Sequence, residues 1–323
     1  MTEGTKALSV SGLGKLFAGV RAVDHLSFDV KPGEIFGLVG PDGAGKTTTL
    51  RMLAGVLDPD EGTATVAGCD IRRDPEEAKN RLSYMSQRFG LYEDLTVDEN
   101  IRFYADVFHL PRRQREERAP RLLDAAGMSP FRKRLAGKLS GGMKQKLGLV
   151  CALIHTPQVL LLDEPTNGVD PVSRREFWQI LYSLLSEGVA ILTSTAYLDE
   201  AERCHRVGLL HQGRLLLCDT PAALKKQMPG AVLAVSSSEP RRLPAVLERA
   251  AGVSSAVLVG DGMHLVVDDA ARRVPELKRR LTEAGVSFDE VEQVTPSIED
   301  LFVAAVEGRS SGGRSDGGRS NGD

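Results

Sequence analysis

The first quarter of the chain alternates short β-like runs with turn residues. Leu26-Ser27-Phe28-Asp29-Val30 and Glu34-Ile35-Phe36-Gly37-Leu38-Val39 read as strands, and the second leads through a Gly-rich turn into a helical pattern from Thr47 to Leu57. Asp58-Pro59-Asp60-Glu61-Gly62 has the Pro and Gly punctuation of a turn, and Thr63 to Val66 follows as a short strand. From about Phe89 to Lys138 the pattern is helical and charged. Its basic run, Arg112-Arg113-Gln114-Arg115-Glu116-Glu117-Arg118, reads more simply as a solvated helix face than as a nucleic-acid patch. Val159-Leu160-Leu161-Leu162 and Val189-Ala190-Ile191-Leu192 are short enough to be buried parallel strands.

This order predicts an α/β fold with a main domain over 1–228, a helical subdomain at about 88–140 within it, and a small α/β domain over 229–307. Residues 231–306 read as strand, helix, hairpin, helix, strand and helix, with Gly260-Asp261-Gly262 as the hairpin turn. Beyond Glu307 come three imperfect copies of an Arg-Ser-x-Gly-Gly unit, starting at Arg309, Arg314 and Arg319. They are too poor in apolar residues to fold, so 308–323 is expected to be a disordered tail.

Composition narrows the class. At 323 residues the chain is long for one average domain, and 41% hydrophobic with 26% charged residues is close to the globular norm. A formal net charge of −3 supplies no global basic field, which argues against a nucleic-acid partner. The N-terminus lacks an apolar signal region, and no run approaches the roughly 18 apolar residues that a membrane helix needs. Cys69, Cys151, Cys204 and Cys218 form no CxxC pair, which suits reduced thiols in a cytoplasmic protein. Cys204-His205 lacks companions at metal-ligand spacing.

The candidate chemistry is concentrated in three places. Gly40-Pro41-Asp42-Gly43-Ala44-Gly45-Lys46-Thr47 fits the P-loop pattern between a predicted strand and a predicted helix, the context that the motif requires. Glycines such as Gly40, Gly43 and Gly45 let the backbone N–H groups and the helix N-terminus face phosphate charge. Lys46 is expected to reach the β- and γ-phosphates, Thr47 to offer its hydroxyl to Mg²⁺, and Thr48 to donate to the α-phosphate. Downstream, the apolar strand ending in Asp163-Glu164 sets carboxylates at its C-terminal edge, where α/β folds bind ligands. Asp163 would hold the magnesium through water, and Glu164 would act as general base on the attacking water. Between them, Ser140-Gly141-Gly142 opens a helical pattern. It is an anion site by its geometry, and an ordinary Ser N-cap would look the same.

P-loop, then Leu139-Ser140-Gly141-Gly142, then Leu160-Leu161-Leu162-Asp163-Glu164 is the motif order of the ABC ATPase superfamily, which the chain resembles over about residues 5–225. The resemblance implies a P-loop NTPase with an inserted helical subdomain, binding ATP and Mg²⁺. It implies that Phe17 stacks on adenine, with strand packing as the plainer role. It implies that Gln87 contacts Mg²⁺ and links the site to the helical subdomain, and that Asp170 lies in a loop touching a second ATPase subunit. Two such subunits would close head to tail, each Ser140-Gly141-Gly142 capping ATP held on the other's P-loop.

Two departures stand out. Met143 falls where the family most often has Gln, with little loss expected. The family's switch histidine falls on Ala196, which cannot hydrogen-bond a γ-phosphate. The expectation is a site that binds ATP tightly and hydrolyses it slowly, within a heterodimer. A homodimer in which Glu164 and Gln87 suffice is the competing arrangement.

The phrase Phe89-Gly90-Leu91-Tyr92-Glu93-Asp94-Leu95-Thr96-Val97-Asp98-Glu99-Asn100 resembles ABC-2-type exporters of drugs, lipids and polysaccharides, as does the ending Thr295-Pro296-Ser297-Ile298-Glu299-Asp300-Leu301-Phe302. Phe89, Leu91 and Tyr92 would then receive a short helix of a membrane permease. This would hold the chain on the inner face of the cell membrane; plain subdomain packing is the alternative for each residue. Pro41-Asp42, Met143-Lys144-Gln145-Lys146 and Ala196 are similar to the first half of fused twin-ATPase exporters, with that half expected to stand alone. An importer ATPase, or a membrane-free ABC ATPase acting on ribosomes or nucleic acid, is the alternative function.

Overall fold

Residues 6–88 and 90–312 are described by the computed structural model, in which the chain divides after Cys218 into two units. In the first, β1 (Leu8–Phe17) and β2 (Val20–Val30) pair antiparallel and precede β3 (Ile35–Val39) and α1 (Lys46–Leu53). Next come β4 (Glu61–Val66), β5 (Cys69–Asp70), α2 (Pro75–Arg81) and β6 (Leu82–Met85). The helices α3 (Val97–Val107), α4 (Arg112–Ala125) and α5 (Gly141–Leu153) follow. The unit is completed by β7 (Val159–Asp163), α6 (Pro171–Leu185), β8 (Ala190–Thr195), α7 (Leu198–Ala201), β9 (Arg206–His211) and β10 (Arg214–Asp219).

Strands β3 and β7 are buried at every residue, so each must be covered on both faces. They lie inside a six-stranded sheet of order β10-β9-β3-β8-β7-β6, in which β9, β3, β8, β7 and β6 run parallel. A second, antiparallel sheet has the order β2-β1-β4-β5. Alternate residues Phe36, Leu38, Val159, Leu161, Ala190 and Leu192 share one core with Leu50 and Leu53 of α1 and with Leu8, Leu26 and Phe28 of the antiparallel sheet. The topology therefore sends the C-terminal ends of β3, β6, β7 and β8 to a single edge.

Several boundaries differ from expectation. The helix expected to run to Leu57 stops at Leu53, because Gly55 takes a φ of 65° that ends the helix in a left-handed turn. Helix α5, which follows the expected helical subdomain, packs against α3 and α4 on one side and against β6 and α6 on the other, burying Leu147, Gly148, Val150 and Cys151. The run Arg112–Arg118 opens α4 on a largely solvated face, with Arg112 paired to Glu116 at 2.6 Å. The loop ahead of α3 is held by buried Asn100, whose Nδ2 donates to the carbonyls of Tyr92, Leu95 and Thr96 while its Oδ1 accepts from the Tyr92 N–H at 2.9 Å. Phe89 lies outside the described residues.

The second unit starts at Asp219 rather than at 229, because α8 (Pro221–Lys226) packs against the last helix of that unit through a segment that buries Leu224. The elements β11 (Ala231–Ser236), α9 (Leu243–Leu247), β12 (Val253–Val259), β13 (Gly262–Val267), α10 (Ala270–Glu283), β14 (Glu290–Val294) and α11 (Ile298–Gly312) follow in the expected order. The antiparallel sheet order β12-β13-β11-β14 makes a split β-α-β-β-α-β unit. Its core joins Leu233, Val235 and Leu265 to Leu243, Leu247, Leu277 and Leu281. His264 of β13 is partnered: its Nδ1 lies 3.0 Å from Oδ1 of buried Asp300, whose carboxylate also accepts from the N–H and hydroxyl of Ser297. Helix α11 continues through Gly312, so disorder does not begin at 308. Extending a helix already nucleated by Ile298–Glu307 is far easier than starting one in Gly/Ser-rich sequence. The expectation for 313–323 lies outside the described residues.

Leu277→Ala removes a fully buried side chain from the core of the second unit and is expected to cost about 2–5 kcal/mol of its stability. Denaturant titration checks this; an unshifted midpoint would mean that α10 does not hold the unit together.

Candidate functional site

The loop from Gly40 to Gly45 joins β3 to α1 and has little room for side chains. A Cβ on Gly40 would run into the Leu210 carbonyl, and one on Gly45 into that of Ala22; Gly45 also has a φ of 105°. Lys46, Thr47 and Thr48 at the start of α1 line the space beside the loop. The cleft there, about 470 Å³, is lined by Phe17, Ala22, the loop residues 42–48, Gln87 and Glu164. Phe17 is the last residue of β1 and is 46% exposed, so it belongs to the cleft wall rather than to the strand's packed face.

Lys46 is 4% exposed. Its ammonium donates to the carbonyls of Gly40 at 2.7 Å and Pro41 at 3.1 Å and lies 3.1 Å from Glu164 Oε1. The other carboxylate oxygen of Glu164 accepts from Gln87 Nε2 at 3.1 Å and from Asn167 Nδ2 at 3.3 Å. Glu164 has a φ of 48°, a backbone strain characteristic of functional positions, and its N–H is held by the backbone oxygen and hydroxyl of Ser194. Asp163 sits one residue deeper. Its Oδ1 accepts from Thr47 Oγ1 at 3.0 Å and Ser194 Oγ at 2.8 Å, and its Oδ2 accepts from the Tyr84 hydroxyl at 3.2 Å. Burial, aided by Asp163, pushes the Tyr84 phenol up to about 12, so it remains a donor at neutral pH.

Thr48 lines the cleft, whereas Ser140, Gly141, Gly142 and Asp170 lie apart from its lining. Ser140 caps α5 by accepting from the Met143 N–H at 3.3 Å, and Ser140 and Gly141 are exposed. Gly142 is buried against α6, where a Cβ would collide with Ser173. Asp170 caps α6 through the N–H groups of Val172 and Ser173, and the Ser173 bonds hold its carboxyl below the usual range. Ala196 follows the end of β8 and is exposed.

Tyr84, Ser194 and Asn167 were not singled out from sequence. Ser194 stands opposite Asp163 in the parallel register of β7 and β8, a proximity with no local signal except that both strands end there. Asn167 carries the clearest signal, since it lies three residues after Glu164. The donors fit a hard cation: the Thr47 hydroxyl and Asp163 carboxylate are oxygen ligands adjoining the phosphate loop. The described residues contain no cluster of three or more His, Cys, Asp or Glu side chains able to hold a metal alone, so a magnesium ion there would complete its shell with phosphate and water.

Residues 23–167 match the ABC transporter family. The chain is 46% identical over 307 residues to a probable multidrug ABC transporter ATP-binding protein, YbhF of Escherichia coli (strain K12), covering 93% of this chain and 52% of that protein. It thus spans about half the length of that relative. It is also 35% identical to the daunorubicin resistance ATP-binding protein DrrA2 of Streptomyces coeruleorubidus, over 92% of this chain and 94% of the other. Among solved structures, an ATP-binding subunit of an ABC transporter matches with a TM-score of 0.63 at 31% identity, covering 69% of this chain and 93% of that one.

Gly45→Ala is expected to weaken ATP binding at least about tenfold, because a side chain at that φ adds roughly 1–3 kcal/mol of strain besides the clash with Ala22. Calorimetric titration with ATP checks this; parental affinity would mean that the loop does not hold the nucleotide.

Proposed function

The chain belongs to the ABC transporter family of ATP-binding proteins, and from that premise we propose that it binds and hydrolyses ATP to drive a membrane-embedded exporter of the ABC-2 type. The observation that carries the catalytic part is the clamp on Glu164. Lys46, Gln87 and Asn167 hold its carboxylate at the mouth of a phosphate-binding loop.

In this reading the loop N–H groups, Thr48 and Lys46 bind the phosphates and Phe17 lies against adenine. Thr47 and Asp163 would hold Mg²⁺, with Gln87 close by; the ion would neutralise phosphate charge. Glu164 accepts a proton from water as the water oxygen bonds to the γ-phosphorus and the bond from that phosphorus to the bridging oxygen of ADP breaks. Its strained, triply held geometry orders the base before water arrives, so little reorganisation is needed during reaction.

The separation of Ser140–Gly142 from this chain's own cleft supports their action in trans. The exposed start of α5 would face ATP held on a second ATPase subunit, and Asp170 would lie at the contact. Ala196 supplies no donor to a γ-phosphate, so the ATP held here is hydrolysed slowly and a different ATPase chain completes a faster site.

No helix among the described residues is long and apolar enough to cross a membrane. The permease would be a separate partner, and this chain would lie peripherally on the inner membrane face. Exposed Tyr92, stacked edge-on against half-exposed Phe103 at 4.5 Å, offers the apolar surface for it. Of the drug, lipid and polysaccharide classes, the names of the multidrug and daunorubicin resistance relatives favour an exported drug.

Glu164→Gln is expected to abolish turnover, by at least about a hundredfold given the scale of general-base catalysis, while trapping an ATP-bound dimer visible by light scattering. Turnover at the parent rate would remove Glu164 from the role of base. Ala196→His is expected to raise turnover in the purified dimer, measured by phosphate release; an unchanged rate would dispose of the slow-site reading.

A further inference from the structure

The residue after Ala196 reaches the site by an indirect route. Tyr197 Oη donates to Asn167 Oδ1 at 3.2 Å, and the same amide donates through Nδ2 to Glu164 Oε2 at 3.3 Å. An amide has one acceptor end and one donor end, and a carboxylate only accepts, so Glu164 takes the donor end and the Tyr197 hydroxyl closes on the acceptor end, tethering the amide from its far side. Without that tether, the amide keeps its donor end toward the carboxylate but is held on one side only, so the contact that orients Glu164 loosens.

Tyr197 is itself held at three points. Its N–H donates to Thr195 Oγ1 at 2.9 Å, which fixes the chain as it leaves β8. The Arg174 guanidinium lies 4.7 Å from the ring centroid in a cation–π contact. Arg174 is anchored in turn by Glu200, a carboxylate only 1% exposed, at 3.6 Å, and by Asp199. Glu200 also accepts from Thr166 Oγ1 at 2.5 Å, so the segment that orients Tyr197 is tied to the loop bearing Asn167. An exposed aromatic whose ring, backbone and hydroxyl are each engaged, with the hydroxyl pointed at the partner of the base, is placed more closely than surface packing requires.

We propose that Tyr197 is a positioning residue for ATP hydrolysis: through Asn167 it locks the Glu164 carboxylate in the orientation that takes the proton from water. The proposal rests on Glu164 being the base. It assigns the end of β8 a task on the base side of the reaction, separate from the γ-phosphate contact that Ala196 cannot make. Because Tyr197 does not line the cleft, its loss affects cleavage and not nucleotide affinity.

The test is single-turnover cleavage of γ-labelled ATP by the full chain in excess, which reads slow rates directly, alongside the ATP dissociation constant. Tyr197→Phe keeps the ring over Arg174 and is expected to slow cleavage about three- to tenfold, the scale of one networked hydrogen bond, with affinity unchanged. Asn167→Ala should be slow as well, and adding Tyr197→Phe to it should slow cleavage no further, because the two act as one unit. Cleavage by Tyr197→Phe at the parent rate, or fully additive losses in the double variant, would overturn the proposal. So would equal losses of cleavage and affinity, which point to a structural effect alone. Glu164→Gln separates the two ideas. If it cleaves at the parent rate, the base assignment fails; if it is inactive while Tyr197→Phe is unimpaired, only the relay fails.

Discussion

Lys46 and Glu164 form an ion pair at 3.1 Å with both side chains almost withdrawn from solvent, and the rest of the site is arranged around it. A buried pair is stable only when its remaining hydrogen-bonding capacity is met, because desolvation otherwise exceeds the Coulombic gain. Here the ammonium has the carbonyls of Gly40 and Pro41, and the carboxylate has the amides of Gln87 and Asn167. The phosphate loop, the segment after β6 and the segment after β7 each supply part of this set, so satisfying one pair of charges requires three segments to meet.

They meet because of the parallel sheet. With β3, β8, β7 and β6 adjacent and parallel, the phosphate loop, Ala196, the Asp163-Glu164 pair and Gln87 all emerge from the same edge. The depth of each group then follows from register. Asp163 ends β7 opposite Ser194 and is buried under Thr47 and Tyr84, whereas Glu164, one residue later, turns outward with its positive φ. Adjacent carboxylates thereby acquire different surroundings, one as a fixed acceptor for hydroxyl donors and one beside a cation at the cleft.

Two helix N-termini of the first unit have different surroundings. The start of α1 faces the chain's own cleft. The start of α5, capped by Ser140, is exposed and lies outside that cleft's lining. The second unit is held by a separate core.

Much of this could be read along the chain, because the chemistry depends on short, contiguous patterns. A phosphate loop needs glycines at positions where a Cβ would collide with backbone, and such steric demands leave a local signature at Gly40 and Gly45. The apolar runs that must be buried on both faces marked β3, β7 and β8 for the same reason, and the motif order pointed to the family. Tertiary structure alone decided which side chains support the catalytic groups. Tyr84 and Ser194 are ordinary residue types with no distinctive spacing, and they matter only because the parallel strands bring them to a carboxylate; Asn167 stands three residues after Glu164, but only the loop turn aims its amide there. Tyr197 is the clearest case. The sequence shows that a histidine is missing one position earlier, but only the folded chain shows where the neighbouring hydroxyl points, because hydrogen-bond direction depends on three-dimensional approach and not on order along the backbone.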